Sequence, residues 1–293
     1  MKRVLTFFLL ICFLFAGCGS RETANIAATT LPVYEFTLRL CEGTGLTVTR
    51  LVTESVSCLH DYALKVDQVK AVESASYTVI SGAGLEAFME DLLQNKQVID
   101  ASRDIEILEC DHSHEDSHED SHDHGHHHET DSHIWLSPEN AIAMAQNICA
   151  GLTDAYPEHS HVFSANLEVL IRDLEALQAY GEAQLANLST REMITFHDGF
   201  AYFAQAFDLH ILEAVEEESG SEASAMELKH LISIMLEHNL PAVFTEVNGS
   251  CSAADVIARE TGATIYALDM AMGSDSYFDA MYHNIDTIKE AME

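Results

Sequence analysis

Residues 157–188 read PEHSHVFSANLEVLIRDLEALQAYGEAQLANL and divide the chain of 293 residues into two halves. Apolar residues recur through this stretch at steps of three and four, the spacing that places them on one face of an α-helix. Pro157 stands where proline is favoured, at the first helical position. Such a helix would extend about 45–50 Å, which is longer than a small lobe is wide. We therefore predict a rigid spine helix at residues 155–189 that joins two lobes, with a coiled-coil dimer helix as the alternative.

On both sides of the spine, short runs rich in β-branched residues alternate with runs of helical apolar spacing. The predicted strands are IAATT, LTVTRLV, YTVIS and QVID before the spine, and EMITF, LHILEAV, AVFTEV and ATIYAL after it. Helices are predicted at residues 32–41, 66–75, 85–93, 200–207, 225–239, 253–260 and 277–292. This alternation is typical of α/β proteins. We predict two lobes, residues 25–154 and 190–293, each with a mostly parallel sheet flanked by helices.

The N-terminus has the features of a secretory signal peptide at residues 1–17. Lys2 and Arg3 precede an apolar run that is too short to span a bilayer as a mature helix. The tail FAGC, residues 15–18, resembles the lipobox of bacterial lipoproteins, which implies diacylation of Cys18 and a linker to the anchor at residues 18–24. An ordinary cleaved signal is the alternative. Either way we expect the mature protein outside the cytoplasm, anchored to the membrane through Cys18 or periplasmic.

The charge balance restricts the possible partners. The chain has 14 Lys and Arg against 48 Asp and Glu, a formal net charge of −34. A polyanionic partner such as nucleic acid is therefore not expected, whereas cations are natural ligands of such a field. The chain has no CxxC pair, so a structural thiolate zinc site is not indicated. Disulfide pairing stays open among five cysteines: Cys41, Cys58, Cys110, Cys149 and Cys251.

Residues 110–135, CDHSHEDSHEDSHDHGHHHETDSHIW, contain nine of the 17 histidines. The part at residues 111–131 has no aliphatic side chain, so it cannot bury enough apolar surface to fold, and we expect a disordered loop. Imidazole beside carboxylate favours zinc, copper and nickel among divalent ions. We predict an accessory, weak zinc-binding loop; a solvated acidic linker is the alternative. Its histidines are His112, His114, His118, His122, His124, His126, His127 and His128.

Four residues outside this loop are candidates for a metal site. His60, His197 and Asp269 follow predicted strands, and ligands bind at the carboxyl ends of strands in open α/β sheets. His133 follows the acidic loop and precedes the apolar residues 134–136, which can anchor it. Two candidates lie in each half of the chain, so the site would lie between the lobes. Three imidazoles and one carboxylate are a ligand set suited to Zn²⁺.

Several segments carry a resemblance to one family: SGAGLEAFMEDLL, DSHIWLSPENAIAMAQNI, TFHDGFAYFAQAFDL and VFTEVNGSCSAADVIARETGATIYALD. Over residues 24–292 the chain resembles the metal-binding solute-binding proteins of ABC transporters, in particular the zinc and manganese group. An acidic His-rich loop before the second ligand is typical of zinc members. The chain departs from the family pattern around His60, where two usual prolines are absent, and after Asp269, where Met270 replaces the usual proline.

The resemblance implies a site, a cargo and partners. It implies that His60, His133, His197 and Asp269 bind Zn²⁺, because manganese members tend to have a carboxylate at the position of His197. Asp198 and Glu246 are candidates to accept the other N–H of a ligating histidine. The implied function is extracytoplasmic zinc capture and delivery to an ABC permease and its ATPase, by a monomer that performs no covalent chemistry. The alternatives are a manganese-binding homologue, a surface zinc-storage or adhesin protein, and a zinc hydrolase, for which the sequence offers no ligand-bearing helix, since its HExxH spacings at residues 114–118 and 118–122 lie in the acidic loop.

Overall fold

The structure is a computed structural model that describes residues 25–54, 59, 62–109, 130–215, 224–247, 249 and 252–293. The predicted signal peptide, Cys18, His60 and the eight histidines of the acidic loop lie outside the described residues. The predictions made for them therefore stay predictions.

The N-terminal half forms a four-stranded sheet in the order β2-β1-β3-β4, and all its pairings are parallel. Its strands are β1 (Asn25–Ala28), β2 (Thr47–Arg50), β3 (Tyr77–Ile80) and β4 (Val98–Asp100). The helices of this half are α1 (Leu31–Leu40), α2 (Val66–Ser74), α3 (Glu90–Leu93) and α4 (Pro138–Ala155). The four strands predicted for this half are confirmed.

One predicted helix, at residues 85–93, is interrupted, and a buried carboxylate gives the reason. Leu85–Met89 forms a 3-10 helix, and Glu86 has a non-helical backbone with φ −89° and ψ 23°. Its carboxylate accepts hydrogen bonds from the backbone N–H groups of Ser81 and Gly82 and from the hydroxyl of Thr29. Burial raises the pKa of Glu86 to about 7, against the lowering effect of these donors. The side chain thus binds the ends of β1 and β3 instead of continuing a helical face.

Helix α4 was not predicted, although its start carries a local signal. The side-chain oxygen of Ser137 accepts a hydrogen bond from the N–H of Asn140, and Pro138 occupies the first turn. A Ser N-cap followed by Pro is the usual beginning of a helix.

The predicted spine is present but shorter than residues 155–189. A 3-10 turn at Pro157–His159 leads into α5 (Ser160–Gln184), and the apolar stripe of α5 is buried. The stripe packs against α1 and α4 and, from the other half of the chain, against the C-terminal helix. The chain itself covers the stripe, so the coiled-coil alternative is not needed. Arg191 donates a hydrogen bond to the carbonyl oxygen of Leu185 just beyond the end of α5.

The C-terminal half repeats the plan with a second parallel sheet in the order β6-β5-β7-β8. Its strands are β5 (Glu192–Thr195), β6 (His210–Ala214), β7 (Ala242–Glu246) and β8 (Thr264–Leu268). Its helices are α6 (Ala201–Ala206), α7 (Ala225–Glu237), α8 (Ser252–Thr261) and α9 (Tyr277–Met292). The predicted fold class, two lobes of parallel sheet flanked by helices and one long helix, is confirmed, while the lobe boundaries stay predictions.

One apolar core runs through both halves along the spine. It includes Ile26 of β1, Leu170 and Leu177 of α5, and Phe203 and Tyr277 from the second half, all almost fully buried. A core shared in this way stabilises a fixed arrangement of the two sheets. Within the described part of the chain, no helix has an apolar stretch of the length that a membrane span requires.

Candidate metal site

His133 is positioned by the buried turn that follows it. Ile134–Leu136 forms a 3-10 helix whose three side chains are fully buried. The indole N–H of Trp135 donates to the carbonyl oxygen of Met270 at 2.8 Å, and the hydroxyl of Tyr277 donates to the carbonyl oxygen of Trp135 at 2.8 Å. The predicted apolar anchor therefore fixes His133 against the C-terminal half.

The imidazole of His133 is oriented by Asp131. The Asp131 carboxylate oxygen Oδ1 accepts from the backbone N–H of His133 and lies 2.8 Å from its Nδ1. Asp131 and His133 are only 2% and 6% exposed. A carboxylate on Nδ1 selects the tautomer in which Nε2 has a free lone pair, the form that binds metals.

His197, in the other lobe, also has a carboxylate oxygen close to its Nδ1. It follows β5 by two residues, and its Nδ1 lies 3.0 Å from Oε1 of Glu246, the last residue of the neighbouring strand β7. Glu246 is 8% exposed, so the contact is largely shielded from solvent. The backbone is fixed by the hydroxyl of Thr195, which donates to the carbonyl oxygen of His197 at 3.0 Å. With a carboxylate at Nδ1, Nε2 is the ring nitrogen of His197 suited to bind a metal.

The two imidazoles face each other across the lobes. Nε2 of His133 lies 3.5 Å from Nε2 of His197, the ring centroids are 5.1 Å apart, and the ring planes are at 86°. Two nitrogen ligands about 2.0–2.1 Å from a tetrahedral zinc ion are separated by about 3.3–3.4 Å. The distance between the two Nε2 atoms is therefore close to the separation expected for two ligands of one zinc ion.

The pair is closely covered by Gly199 and Met270. A Cβ atom on Gly199 would lie 2.6 Å from Cε of Met270, 2.7 Å from Cδ2 of His197 and 2.9 Å from Nδ1 of His133. Only a residue without a side chain fits there. Met270 is buried, so an apolar side chain packs beside Gly199 where the two rings also approach.

Asp269 is engaged by its own loop. This segment, residues 269–276 between β8 and α9, is termed the β8–α9 loop. Oδ1 of Asp269 accepts from the N–H of Ala271 at 2.7 Å, and Oδ2 accepts from the hydroxyl of Ser274. Within the described residues, no three His, Cys, Asp or Glu side chains are placed to hold a metal ion. The structure thus brings His133 and His197 together without Asp269, whose role as a ligand stays a prediction.

His60 lies outside the described residues, and its role as a ligand also stays a prediction. Its described neighbours are fixed. Leu59 is fully buried, and the hydroxyl of Tyr62 donates to Glu54 at 2.6 Å. Lys65 and Tyr62 hold the pKa of Glu54 down to about 2 through their hydrogen bonds, so Glu54 is ionised at neutral pH.

Three carboxylates at or beside the pair differ in whether the sequence analysis identified them. Glu246 was a candidate, and it contacts His197; Asp198 directly follows His197 in the chain and is half-buried. Asp131 was missed. Its signal was the spacing Asp-x-His, which places a carboxylate two residues before the ligand.

The cysteines do not contribute to this site within the described residues. Cys41 and Cys149 are buried free thiols, and burial raises the pKa of Cys41 to about 12. A thiol of that pKa is not a thiolate ligand at neutral pH. Cys58, Cys110 and Cys251 lie outside the described residues.

The chain is similar over almost its whole length to known metal-binding proteins. The chain is 28% identical over 311 residues to the high-affinity zinc uptake system protein ZnuA of Bacillus subtilis, covering 98% of this chain and 96% of that protein. It is 24% identical over 308 residues to the manganese-binding lipoprotein MntA of Halalkalibacterium halodurans, covering 98% of both. A crystal structure of ZnuA superposes with a TM-score of 0.79 at 29% identity, over 92% of this chain and all of that one.

The sequence pattern of a single family covers nearly the whole chain. It matches residues 26–291, which include both sheets, the spine and the two facing imidazoles. The chain belongs to the ZnuA family, described as component A, periplasmic, of the zinc-uptake complex.

Proposed function

We propose that this protein captures Zn²⁺ outside the cytoplasm and delivers it to an ABC permease and its ATPase. The observation that carries the proposal is the facing pair of imidazoles, His133 from one lobe and His197 from the other, with Nε2 atoms 3.5 Å apart. Each Nδ1 is held by a largely buried carboxylate. A carboxylate behind the imidazole is the arrangement in which histidine usually binds zinc.

The remaining ligands belong to the proposal. We place His60 as the third imidazole and Asp269 or a water molecule as the fourth ligand, since four-coordinate zinc accepts either. Each oxygen of Asp269 accepts one hydrogen bond within the loop, from the N–H of Ala271 or the hydroxyl of Ser274, and keeps a second lone pair that can bind a metal. Attachment to the membrane through a lipid on Cys18, action as a monomer and weak zinc binding by the His-rich loop complete the proposed picture.

Manganese is the second candidate cargo, because one relative that matches over 98% of this chain is a manganese-binding lipoprotein. The ligand chemistry favours zinc over manganese. Neutral imidazole suits zinc, whereas manganese prefers carboxylate, carbonyl and water oxygens. The two described residues at the centre of the site are both imidazoles.

The test is metal binding by the purified full chain. The protein is stripped of metal and titrated with Zn²⁺ and, separately, Mn²⁺ at pH 7.5 in competition with a chelator. We expect one tight zinc per chain, lost in His133→Ala and in His197→Ala. His238→Ala is the matched control. Nδ1 of His238 also lies 2.9 Å from a carboxylate oxygen, that of Glu192, but this pair is outside the candidate site.

Retention of tight zinc binding in His197→Ala would contradict the proposal. Tighter binding of Mn²⁺ than of Zn²⁺ by the unaltered protein would select the second candidate. Uptake of radioactive zinc by cells that lack the protein, with and without a plasmid copy, tests the delivery step. Uptake that does not depend on the copy would exclude a transport role.

A further inference from the structure

The β8–α9 loop belongs to the C-terminal half, but side chains of the N-terminal half hold its backbone. The indole N–H of Trp135 donates to the carbonyl oxygen of Met270. The guanidinium of Arg50, at the carboxyl end of β2, donates to the carbonyl oxygens of Met272 and Ser274. Three alternate carbonyl groups of one loop therefore accept hydrogen bonds from the opposite lobe.

Arg50 is itself fixed for this contact. Its Nε–H donates to the carbonyl oxygen of Val52 at 2.6 Å, which sets the plane of the guanidinium, and one Nη lies 3.3 Å from the carbonyl oxygen of Ser274. Burial lowers the pKa of Arg50, opposed by nearby acidic groups that include Asp275, Glu54 and Glu35. A partly buried guanidinium is planar and makes directional, charge-assisted hydrogen bonds with two acceptors at once. The ammonium group of lysine cannot reproduce this geometry.

The far end of the loop is held from the same lobe. The carboxylate of Glu35 on α1 accepts from the backbone N–H of Tyr277 at 2.7 Å and from the hydroxyl of Ser276 at 3.4 Å. Glu35 therefore binds the N-terminus of α9, where a carboxylate is stabilising. The N-terminal half thus contacts the loop from Met270 to the first residue of α9.

The conformation held in this way closes the imidazole pair. Met270 is the loop residue whose Cε, like atoms of both rings, lies within 2.9 Å of the position that a Cβ on Gly199 would take. Ala271 has φ 55°, a left-handed backbone that a residue with a Cβ adopts only when its surroundings hold it there. Bonds of Asp269 to Ala271 and Ser274 hold this conformation from inside the loop, and the contacts from the N-terminal half hold it from outside.

We propose that Arg50 is a positioning residue that latches the β8–α9 loop over the imidazole pair and thereby sets how fast zinc leaves the site. The inference rests on the proposed function. When the two bonds from Arg50 to the loop are lost, the loop opens more often, and bound zinc is exposed to solvent and to competing ligands. The two lobes are coupled at the loop that covers the cargo.

The test compares Arg50→Lys with Arg191→Lys in the full chain. Arg191 is the matched control because its guanidinium also donates to three backbone carbonyl oxygens, of Leu185, Phe207 and Asp208, none of which belongs to the β8–α9 loop. Zinc-loaded protein is mixed with excess chelator, and zinc release is followed by stopped flow. Hydrogen exchange of the β8–α9 loop is measured on the metal-free proteins.

We expect Arg50→Lys to release zinc about tenfold faster than the unaltered protein, the factor given by partial loss of a charge-assisted hydrogen bond. The metal-free loop should exchange faster in Arg50→Lys, while Arg191→Lys changes neither quantity. Unchanged loop exchange in Arg50→Lys overturns the latch whatever the protein binds. Faster exchange with unchanged zinc release shows that the loop does not govern release and also overturns it. If the unaltered protein binds no zinc tightly, the proposed function fails, and the zinc-release role of Arg50 fails with it.

Discussion

Replacing Asp131 by Asn should weaken zinc binding by about 10- to 100-fold, the usual effect of losing a carboxylate behind a ligating histidine. In the structure, Oδ1 of Asp131 accepts from both the backbone N–H and Nδ1 of His133, each at 2.8 Å. The amide oxygen of Asn can accept both hydrogen bonds, so the imidazole keeps its orientation. The negative charge is lost, and the imidazole becomes a weaker donor to the metal. The expected range corresponds to about 1.4–2.7 kcal/mol of binding free energy.

The measurement is a zinc titration in competition with a chelator at pH 7.5. Asp100→Asn is the matched control, since Oδ1 of Asp100 also accepts two hydrogen bonds at 2.8 Å, from the N–H and hydroxyl of Ser102, away from the site. Asp131→Ala should bind more weakly than Asp131→Asn, because it leaves buried N–H groups without an acceptor, at a cost of about 1–3 kcal/mol. The reasoning is refuted if Asp131→Asn binds zinc as tightly as the unaltered protein while His133→Ala does not.

Three further predictions concern the loop, a buried acid and a glycine. Excision of residues 112–128 should leave the tight zinc site intact and abolish weaker, salt-sensitive zinc equivalents; equal stoichiometry with and without the segment would make it a linker only. The pKa of Glu86 is raised to about 7 in the folded protein, so its contribution to stability is fully present below about pH 4.5 and is lost as the pH rises through 7. Urea unfolding across this range should show a loss on the order of 3 kcal/mol that Glu86→Gln removes; the same slope in the variant would locate the titration elsewhere. Gly181→Ala should lower the free energy of unfolding by about 1 kcal/mol net, because overpacking outweighs the gain in helix propensity. Its Cβ would lie 2.2 Å from Cε1 of Phe207, and a rise in melting temperature would contradict the prediction.

The sequence by itself determined the elements and their order. All eight strands lie within or overlap the predicted runs, and the spine is where the apolar stripe placed it, because these signals are periodic and local. The ends of elements were less well predicted. The predicted helix at residues 85–93 is interrupted because the carboxylate of Glu86 finds donors at Thr29, which lies 57 residues earlier and has no local signal.

In the candidate site, too, the sequence identified some residues and only the structure identified others. Strand-end position and the anchor at residues 134–136 selected His133 and His197 from the sequence, and the structure brings their Nε2 atoms within 3.5 Å although 64 residues separate them. The tertiary structure alone identified Asp131 as the carboxylate on one imidazole and placed Glu246 on the other.

Tertiary structure also determined the hydrogen-bond partners of the β8–α9 loop. From the sequence, Asp269 was predicted to be a ligand because it follows a strand. In the fold its two carboxylate oxygens accept hydrogen bonds from the N–H of Ala271 and the hydroxyl of Ser274. It also places Arg50 of the other lobe against the same loop. Hydrogen-bond partners that are distant in sequence, or that depend on one turn conformation, leave no periodic pattern in the chain. Residue types and their spacing could therefore predict which groups are able to bind a cation, whereas only the packing of the two lobes decided which groups face each other.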